Sequence, residues 1–430
     1  MAVLAAQLYN AVDCGNSNEL QRLIDHGADV DQCYDNYSHR KSILHFACGK
    51  GRIDCVKILL DHGASVSIRD KWRMPPIMYC ISTNYLDIAH MLIEKDRKTV
   101  DAQDMHGRSS LHVAVEDGSE TAINLLLQSG CDVNIQTFNG ISPLMLLMSS
   151  KDIDSYFPLM KMLLESGANV NLKSFRDNRT ALHLASITKK VDAVEYLLKL
   201  NADPNHVDTS GKTPLTNLLD HHVPIYQHRP KITDDVMCTA VLLTQAGADM
   251  NLTTTELSNP LIMAEHVKCH QMVRLFLDHG ADVNMRFPYS RLTPLVMAIQ
   301  QKDIDIVRVL IDWNCRFDLT GRCFRQGDYY DISPFELAIR QGSWDIVKLM
   351  VLHGYNVSTL SYLKDSIIVS DVPLTLKNNP EMLHFLSYYA SHPASLVNLC
   401  TLIIFKAIRS NISNKIKLLP RGSIVSDDIS

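Results

Sequence analysis

The sequence runs to 430 residues, more than one ordinary hydrophobic core accommodates, so it either divides into two or three domains or forms one elongated repeat array. Hydrophobic residues make up 46% and charged residues 21%, with 18 glycines and 16 prolines, a composition that excludes long disordered or low-complexity stretches. The net charge of −5, from 42 basic and 47 acidic residues, gives no general attraction toward nucleic acid or an anionic membrane.

The opening stretch, MAVLAAQLYNAVDCGN, lacks a basic segment and has too short an apolar run for a secretory signal. No stretch nears the ~18–20 apolar residues of a membrane span. The eleven cysteines are scattered, none in a CxxC pair, and are expected as reduced thiols, mostly small core residues, in a cytoplasmic or nuclear protein.

From here on, self-similarity at a fixed period dominates. A phrase of the form His-Gly-Ala-Asp-Val-Asn occurs at 26–30, 62–66, 129–134, 166–171, 200–205, 246–251, 279–284 and 353–357. A second, of the form Thr-Pro-Leu-His, has its apolar third position at Leu44, Ile77, Leu111, Leu144, Leu182, Leu215, Leu261, Leu295 and Phe335. Those positions are separated by 33, 34, 33, 38, 33, 46, 34 and 40 residues, a 33-residue unit with insertions.

Within a unit the chemistry predicts two helices. Leu44 and Ala47 form a short apolar face, and Val56, Leu59 and Leu60 recur at helical spacing. Gly63 then marks a left-handed C-terminal position, where Asn201 and Asn314 stand in two other copies. Thr213-Pro214 and Thr293-Pro294 read as N-cap and first-turn proline. His45, His112 and His183 share one slot and are expected to bridge neighbouring turns in preference to binding a metal.

Departures from the period locate the unusual loops. The unit that begins near Ile77 ends without a glycine phrase, so its hairpin is expected to be irregular. Insertions fall at 149–154, 221–233 and 317–328, the last carrying Gly321, Arg322, Cys323, Arg325 and Gly327. They read as tolerated surface loops, with partner contacts as the alternative. No GxSxG, HExxH, P-loop or GxGxxG signature occurs, and His221-His222 and Cys269-His270 lack a spaced second pair of ligands. Neither an enzyme nor a metal or cofactor site is expected.

Together the two phrases resemble the ankyrin repeat over roughly residues 1–358, most closely in Arg179-Thr-Ala-Leu-His-Leu-Ala and Gly211-Lys-Thr-Pro-Leu. The resemblance implies an all-α repeat solenoid of about ten repeats, each a β-hairpin loop followed by two antiparallel helices. Such an array binds another protein along its hairpin tips and concave face. The tip residues Trp72, Arg73, His106, Arg108, Phe138, Arg176, Phe287 and Tyr289 are the candidate contacts for a target protein, with folding back onto the neighbouring repeat as the alternative. Leu126, Leu163 and Leu243 each precede an asparagine (Asn134, Asn171, Asn251) by eight residues. That arrangement is similar to ankyrin sites of asparaginyl hydroxylation, and hairpin hydrogen bonding explains it equally.

The period fails after about residue 358. Residues 359–392 are expected to be a terminal capping segment, with a helix over 380–391, and residues 393–430 a separate small helical unit. There Leu396, Leu399, Cys400, Ile403, Ile404 and Ala407 form one helical apolar stripe, with Ser395 as its N-cap. The pattern Ser395-Leu396, Cys400, Ile404, with Leu419-Pro420 beyond it, resembles a SOCS box. That resemblance implies elongin C binding through Leu396, Leu399, Cys400, Ile403 and Ile404, and recruitment of cullin-5 with its RING protein through Leu419 and Pro420. Arg421, Gly422 and Asp428 depart from the cullin-binding pattern. The expected function is the substrate-recognition subunit of an elongin B/C–cullin–RING ubiquitin ligase. The alternatives are an ankyrin scaffold without ligase recruitment and, for the stripe itself, a cap on the last repeat.

Overall fold

A computed structural model describes residues 2–34, 40–150, 156–222, 232–254, 259–286, 291–325, 328–357 and 373–392. The expected helical-repeat class is what it shows. The chain forms two compact units, residues 1–222 with 233–248, and residues 223–232 with 249–430. In the first, helices alternate short and long, as in Ile43–Gly49 with Ile53–Asp61, Ser110–Glu116 with Glu120–Gln128, and Ala181–Ile187 with Val191–Lys199. In the second, Pro260–His266 pairs with His270–Asp278, Pro294–Gln300 with Ile304–Asp312, and Pro334–Arg340 with Trp344–Leu352. The short helix Leu374–Lys377 and the longer Pro380–Ser391 follow.

All nine apolar positions of the second sequence phrase, from Leu44 to Phe335, are buried between the helices of their units. Each such side chain contributes roughly 1.5–3 kcal/mol of burial. The left-handed positions lie where the phrase put them, with φ of 84° at Gly63, 61° at Asn201 and 57° at Asn314.

The first helix of each pair is so short that its caps decide whether it forms. At Ile43–Gly49 the Ser42 hydroxyl accepts from the His45 backbone N–H, while the Ser42 backbone N–H donates to His45 Nδ1 at 3.1 Å. An Nδ1 that accepts leaves the proton on Nε2, which donates to the Met74 carbonyl of the next repeat at 2.9 Å. His112 repeats this from Ser109 to Ile141, and His183 from Thr180 to Lys212. The ring is both a helix cap and a link between repeats. Where the slot is not histidine, simpler caps serve: Thr216 accepts from the Thr213 N–H, and Thr293 accepts from Val296.

The irregular segments have local causes. After Leu86–Lys95 the missing glycine is replaced by a 3-10 turn, Arg97–Thr99, and Arg97 donates to the carbonyls of Ser129 and Gly130 one repeat on. Lys190 is buried, and its ammonium donates to the carbonyls of Leu147 and Ser150, each at 2.7 Å, at the end of Pro143–Ser149 where the 149–154 insertion begins. Burial pulls this lysine down to about 8.

The insertion at 317–328 is not a loop. Gly321–Arg325 and Asp328–Ile332 form an antiparallel hairpin in the register Gly321↔Ile332 to Arg325↔Asp328. Phe324, Tyr329, Tyr330 and Ile332 are residues that favour strands, and Gly321 allows one strand to lie against Leu292 and Val296, which a Cβ would approach to 3.1 Å. Leu396, Leu399, Cys400, Ile403, Ile404, Leu419 and Pro420 lie outside the described residues, as do Phe287 and Tyr289.

Two kinds of buried titratable group, histidine and glutamate, predict opposite pH responses. Burial pushes His183 down from 6.5 to about 4 and moves His45 and His112 the same way. Between those values the unfolded chain takes up protons that the folded rings refuse, so stability present at neutral pH is lost on acidification. For His183 the loss by pH 4 is roughly 2–4 kcal/mol. Denaturant unfolding at a series of pH values measures it, and His183→Gln is expected to start less stable at pH 7 but with a shallower acid limb.

Glu265 is fully buried, and neither of its carboxyl oxygens has a hydrogen-bond partner among the described residues. Burial, reinforced by Asp303, raises its carboxyl well above the ordinary value. The folded state then holds a proton that the unfolded state releases, so stability falls as pH rises through the carboxylate range. Glu265→Gln is expected to gain ~1–3 kcal/mol on the parent by pH 7, with little difference near pH 4. Parallel pH profiles for the two proteins are the contrary result.

Candidate protein-interaction surface

Five hairpin tips of the first unit, those at Asp70, Asp104, Thr137, Ser174 and Asp208, are built to one plan. Asp70 Oδ1 accepts the backbone N–H groups of Trp72 and Met74, at 2.9 and 2.8 Å. Asp104 does the same for His106 and Arg108, and Asp208 for Ser210 and Lys212. Thr137 and Ser174 hold this position in the other two tips, accepting from Ile141 and Arg179 through their hydroxyls. A short side-chain acceptor is what a tight turn demands there.

Successive tips are joined through the backbone. The N–H of Met105 donates to the Trp72 carbonyl at 2.8 Å, Phe138 to His106 at 3.2 Å, Phe175 to Asn139 at 2.9 Å, and Thr209 to Asp177 at 2.9 Å. Gln103 and Gln136 add side-chain rungs, each donating to its own hairpin and to the next, the former to Gly107 and Gln136, the latter to Gly140 and Lys173. At the base of the hairpins Asn134 donates to Gly167 and accepts from Asn169, and Asn171 donates to Asn201 and accepts from Asp203. In the second unit Asn251 bridges Gly280 and Asp282 likewise. The asparagines are thus hydrogen-bonded on both sides of their amides.

This ladder brings Trp72, Arg73, His106, Arg108, Phe138 and Arg176 onto neighbouring tips, in different states. Trp72 is half-buried, with the Lys41 ammonium 6.0 Å from its ring and 4.5 Å from the Tyr79 ring. Arg108 is committed internally, to Asp104 at 2.9 Å and Glu116 at 3.1 Å. Arg73, His106, Phe138 and Arg176 are exposed. The sequence phrases missed Met105 and Phe175, which occupy the same tip register as Phe138 and are exposed too. Their common position, one residue after the buried acceptor, is the signal that finds them. The rings of Phe138 and Phe175 lie over the preceding tips, where a Cβ on Gly107 or Gly140 would collide with them and with their backbone nitrogens.

The described residues contain no group of three or more His, Cys, Asp or Glu side chains placed to hold a metal, and no helix long and apolar enough to cross a membrane. What the tips offer is an extended, partly apolar binding surface.

Comparison with known proteins agrees with this geometry. A family model described as ankyrin repeats, in three copies, matches residues 8–104, 63–137, 111–208 and 234–322, about two thirds of the chain. The mouse ankyrin repeat and SOCS box protein 16 is 29% identical over 240 residues, covering 55% of this chain and 51% of that protein. The probable E3 ubiquitin-protein ligase XBOS33 of Oryza sativa subsp. japonica is 25% identical over 215 residues, 47% of this chain and 39% of the relative. The mouse B-cell lymphoma 3 protein homolog is 26% identical over 220 residues, 50% and 44% respectively. The matches span about half or less of the length of these relatives.

The packing of the tips makes a paired prediction. Gly140 and Gly167 both have positive φ, 79° and 92°, but only Gly140 has the next tip pressed against it. Gly167→Ala is expected to cost ~1–2 kcal/mol from conformation alone, and Gly140→Ala ~1–2 kcal/mol more, because Phe175 must move. Denaturant unfolding of the two variants reads the difference, and equal losses would show that the ring is not seated on the glycine.

Proposed function

Because this chain belongs to the ankyrin-repeat family, whose repeats are protein-binding modules, we propose that it is the substrate-recognition subunit of an elongin B/C–cullin–RING ubiquitin ligase. The repeats bind the target protein, and the C-terminal segment recruits elongin C. The observation that carries the reading is the pattern Ser395-Leu396, Cys400, Ile404 following a repeat array, with Leu419-Pro420 beyond it. The similarity to a mouse protein named for ankyrin repeats and a SOCS box, and to a rice protein named as a probable E3 ubiquitin-protein ligase, supports it.

On this reading the chain performs no bond-making step of its own. It supplies proximity and orientation, and transfer is carried out by the E2 enzyme that the RING protein binds. Cytoplasm or nucleus is its compartment. A leucine anchor entering an apolar pocket contributes roughly 1.5–3 kcal/mol, so Leu396 with Cys400 is enough to dominate a short helical interface. Arg421 and Gly422 alter the cullin-binding pattern and leave the elongin-binding pattern intact. A scaffold acting without a ligase is the second reading, favoured by that altered pattern.

The test is retention of purified elongin B/C by the full-length chain and by Leu396→Ala/Cys400→Ala. The parent is expected to retain the complex and the double variant to lose roughly tenfold or more in affinity, with equal helical circular dichroism. A parent that does not bind, or a variant that binds equally well, returns the protein to the scaffold reading.

A further inference from the structure

At the tips of the first unit, the acidic or hydroxyl side chain that closes each turn is buried, whereas Met105, Phe138, Phe175, Lys71, Arg73 and Arg176 are exposed. Asp70, Asp104 and Asp208 are buried and accept the amides of their own turns, and Asp177 lies beside Arg179. The residue that follows the buried acceptor is left outside: Met105 is 44% exposed, Phe138 57% and Phe175 68%. Large apolar side chains at such exposure, in one register on consecutive hydrogen-bonded tips, make a row and not a scatter. Lys71, Arg73 and Arg176 stand on the same tips, exposed, and have no ion-pair partner among the described residues. The ladder therefore presents apolar anchors among uncompensated positive charge, although the chain as a whole carries a net charge of −5.

We propose that these tips hold an extended segment of another protein, in which acidic residues are interspersed with apolar anchors at about every third position. The periodicity comes from the stack. Neighbouring packed helices lie ~8–10 Å apart, so successive tips advance by about that distance. A polyproline-II-like chain rises ~3.1 Å per residue with three residues per turn, which brings every third side chain to the same face at ~9 Å intervals. Anchors at that spacing meet Met105, Phe138 and Phe175 in turn, and the residues between them face Lys71, Arg73 and Arg176. The tip backbones are already bonded to one another, so the affinity comes from side chains and not from strand addition.

This inference deepens the protein-binding reading of the repeats and does not depend on elongin recruitment: loss of elongin binding leaves it standing, and its own failure leaves the C-terminal reading intact. The test is fluorescence anisotropy of a labelled peptide of repeated Phe-Glu-Asp with the full-length chain. Binding that weakens with added salt is expected. Phe138→Ser/Phe175→Ser and Arg73→Glu/Arg176→Glu should each weaken it roughly tenfold or more, whereas Lys57→Glu, on an outer helix far from the tips in the repeat plan, should not. Because the substituted side chains are exposed, unfolding midpoints close to the parent's are expected and verify the fold.

Polyglutamate binding as tightly as the peptide and unaffected by the phenylalanine substitutions overturns the proposal in favour of plain charge attraction. Tighter binding of an oligothymidylate that displaces the peptide assigns the aromatic and basic row to nucleic acid. Self-association abolished by Phe138→Ser/Phe175→Ser in sedimentation assigns it to a second copy of the chain. Absence of peptide binding, or an equal loss with Lys57→Glu, overturns it outright.

Discussion

A seven-residue helix cannot satisfy its own backbone: most of its N–H and carbonyl groups lie within a turn of one end or the other. Helices such as Ile43–Gly49, Ser110–Glu116 and Ala181–Ile187 exist because partners outside them complete the hydrogen bonding. The histidine at the third helical position does this in two directions, accepting from the cap residue and donating to the next repeat. Cap and inter-repeat bond share one ring, so a helix of this kind is stabilised further when its neighbour is in place. That is the molecular form of nearest-neighbour stabilisation in a repeat array. It also explains why the ring must be neutral, since a protonated Nδ1 could no longer accept.

The same requirement shapes the surface. A tight tip needs an acceptor for its inward amides, and a short acid or hydroxyl supplies it from a buried position. Once that polar group is turned inward, the next side chain has no direction left but outward. The exposed row of Met105, Phe138 and Phe175 is therefore a by-product of how the turn is closed, and the residues chosen there are what give it binding chemistry. The arginines show how strongly context matters. Arg108 is committed to Asp104 and Glu116, whereas Arg176 in the neighbouring region has no such partner among the described residues.

A binding surface made of hydrogen-bonded tips suits the proposed role of a receptor. The tips form a continuous ladder in the first unit, held by backbone bonds and by the Gln103 and Gln136 rungs, so a partner would meet a preorganised row. Recruitment of a ligase would rest on the separate C-terminal stripe, whose contacts share no residue with the tips. On that proposal, target choice and ligase attachment would vary independently.

The sequence alone determined the period, the buried positions from Leu44 to Phe335, the caps, the left-handed sites at Gly63, Asn201 and Asn314, and the linking role of His45, His112 and His183. All of these depend on local backbone conformation or on contact with the adjacent copy of the same phrase, so the repeat itself encodes them. Tertiary structure alone decided which tip side chains are available, that Gly321–Arg325 pairs with Asp328–Ile332 and is seated through Gly321 on Leu292 and Val296, that Lys190 closes a helix end from within, and that Glu265 is sealed without a hydrogen-bond partner among the described residues. In each case the outcome is set by how much space and how many polar groups a neighbouring element leaves, and neither residue type nor spacing carries that information.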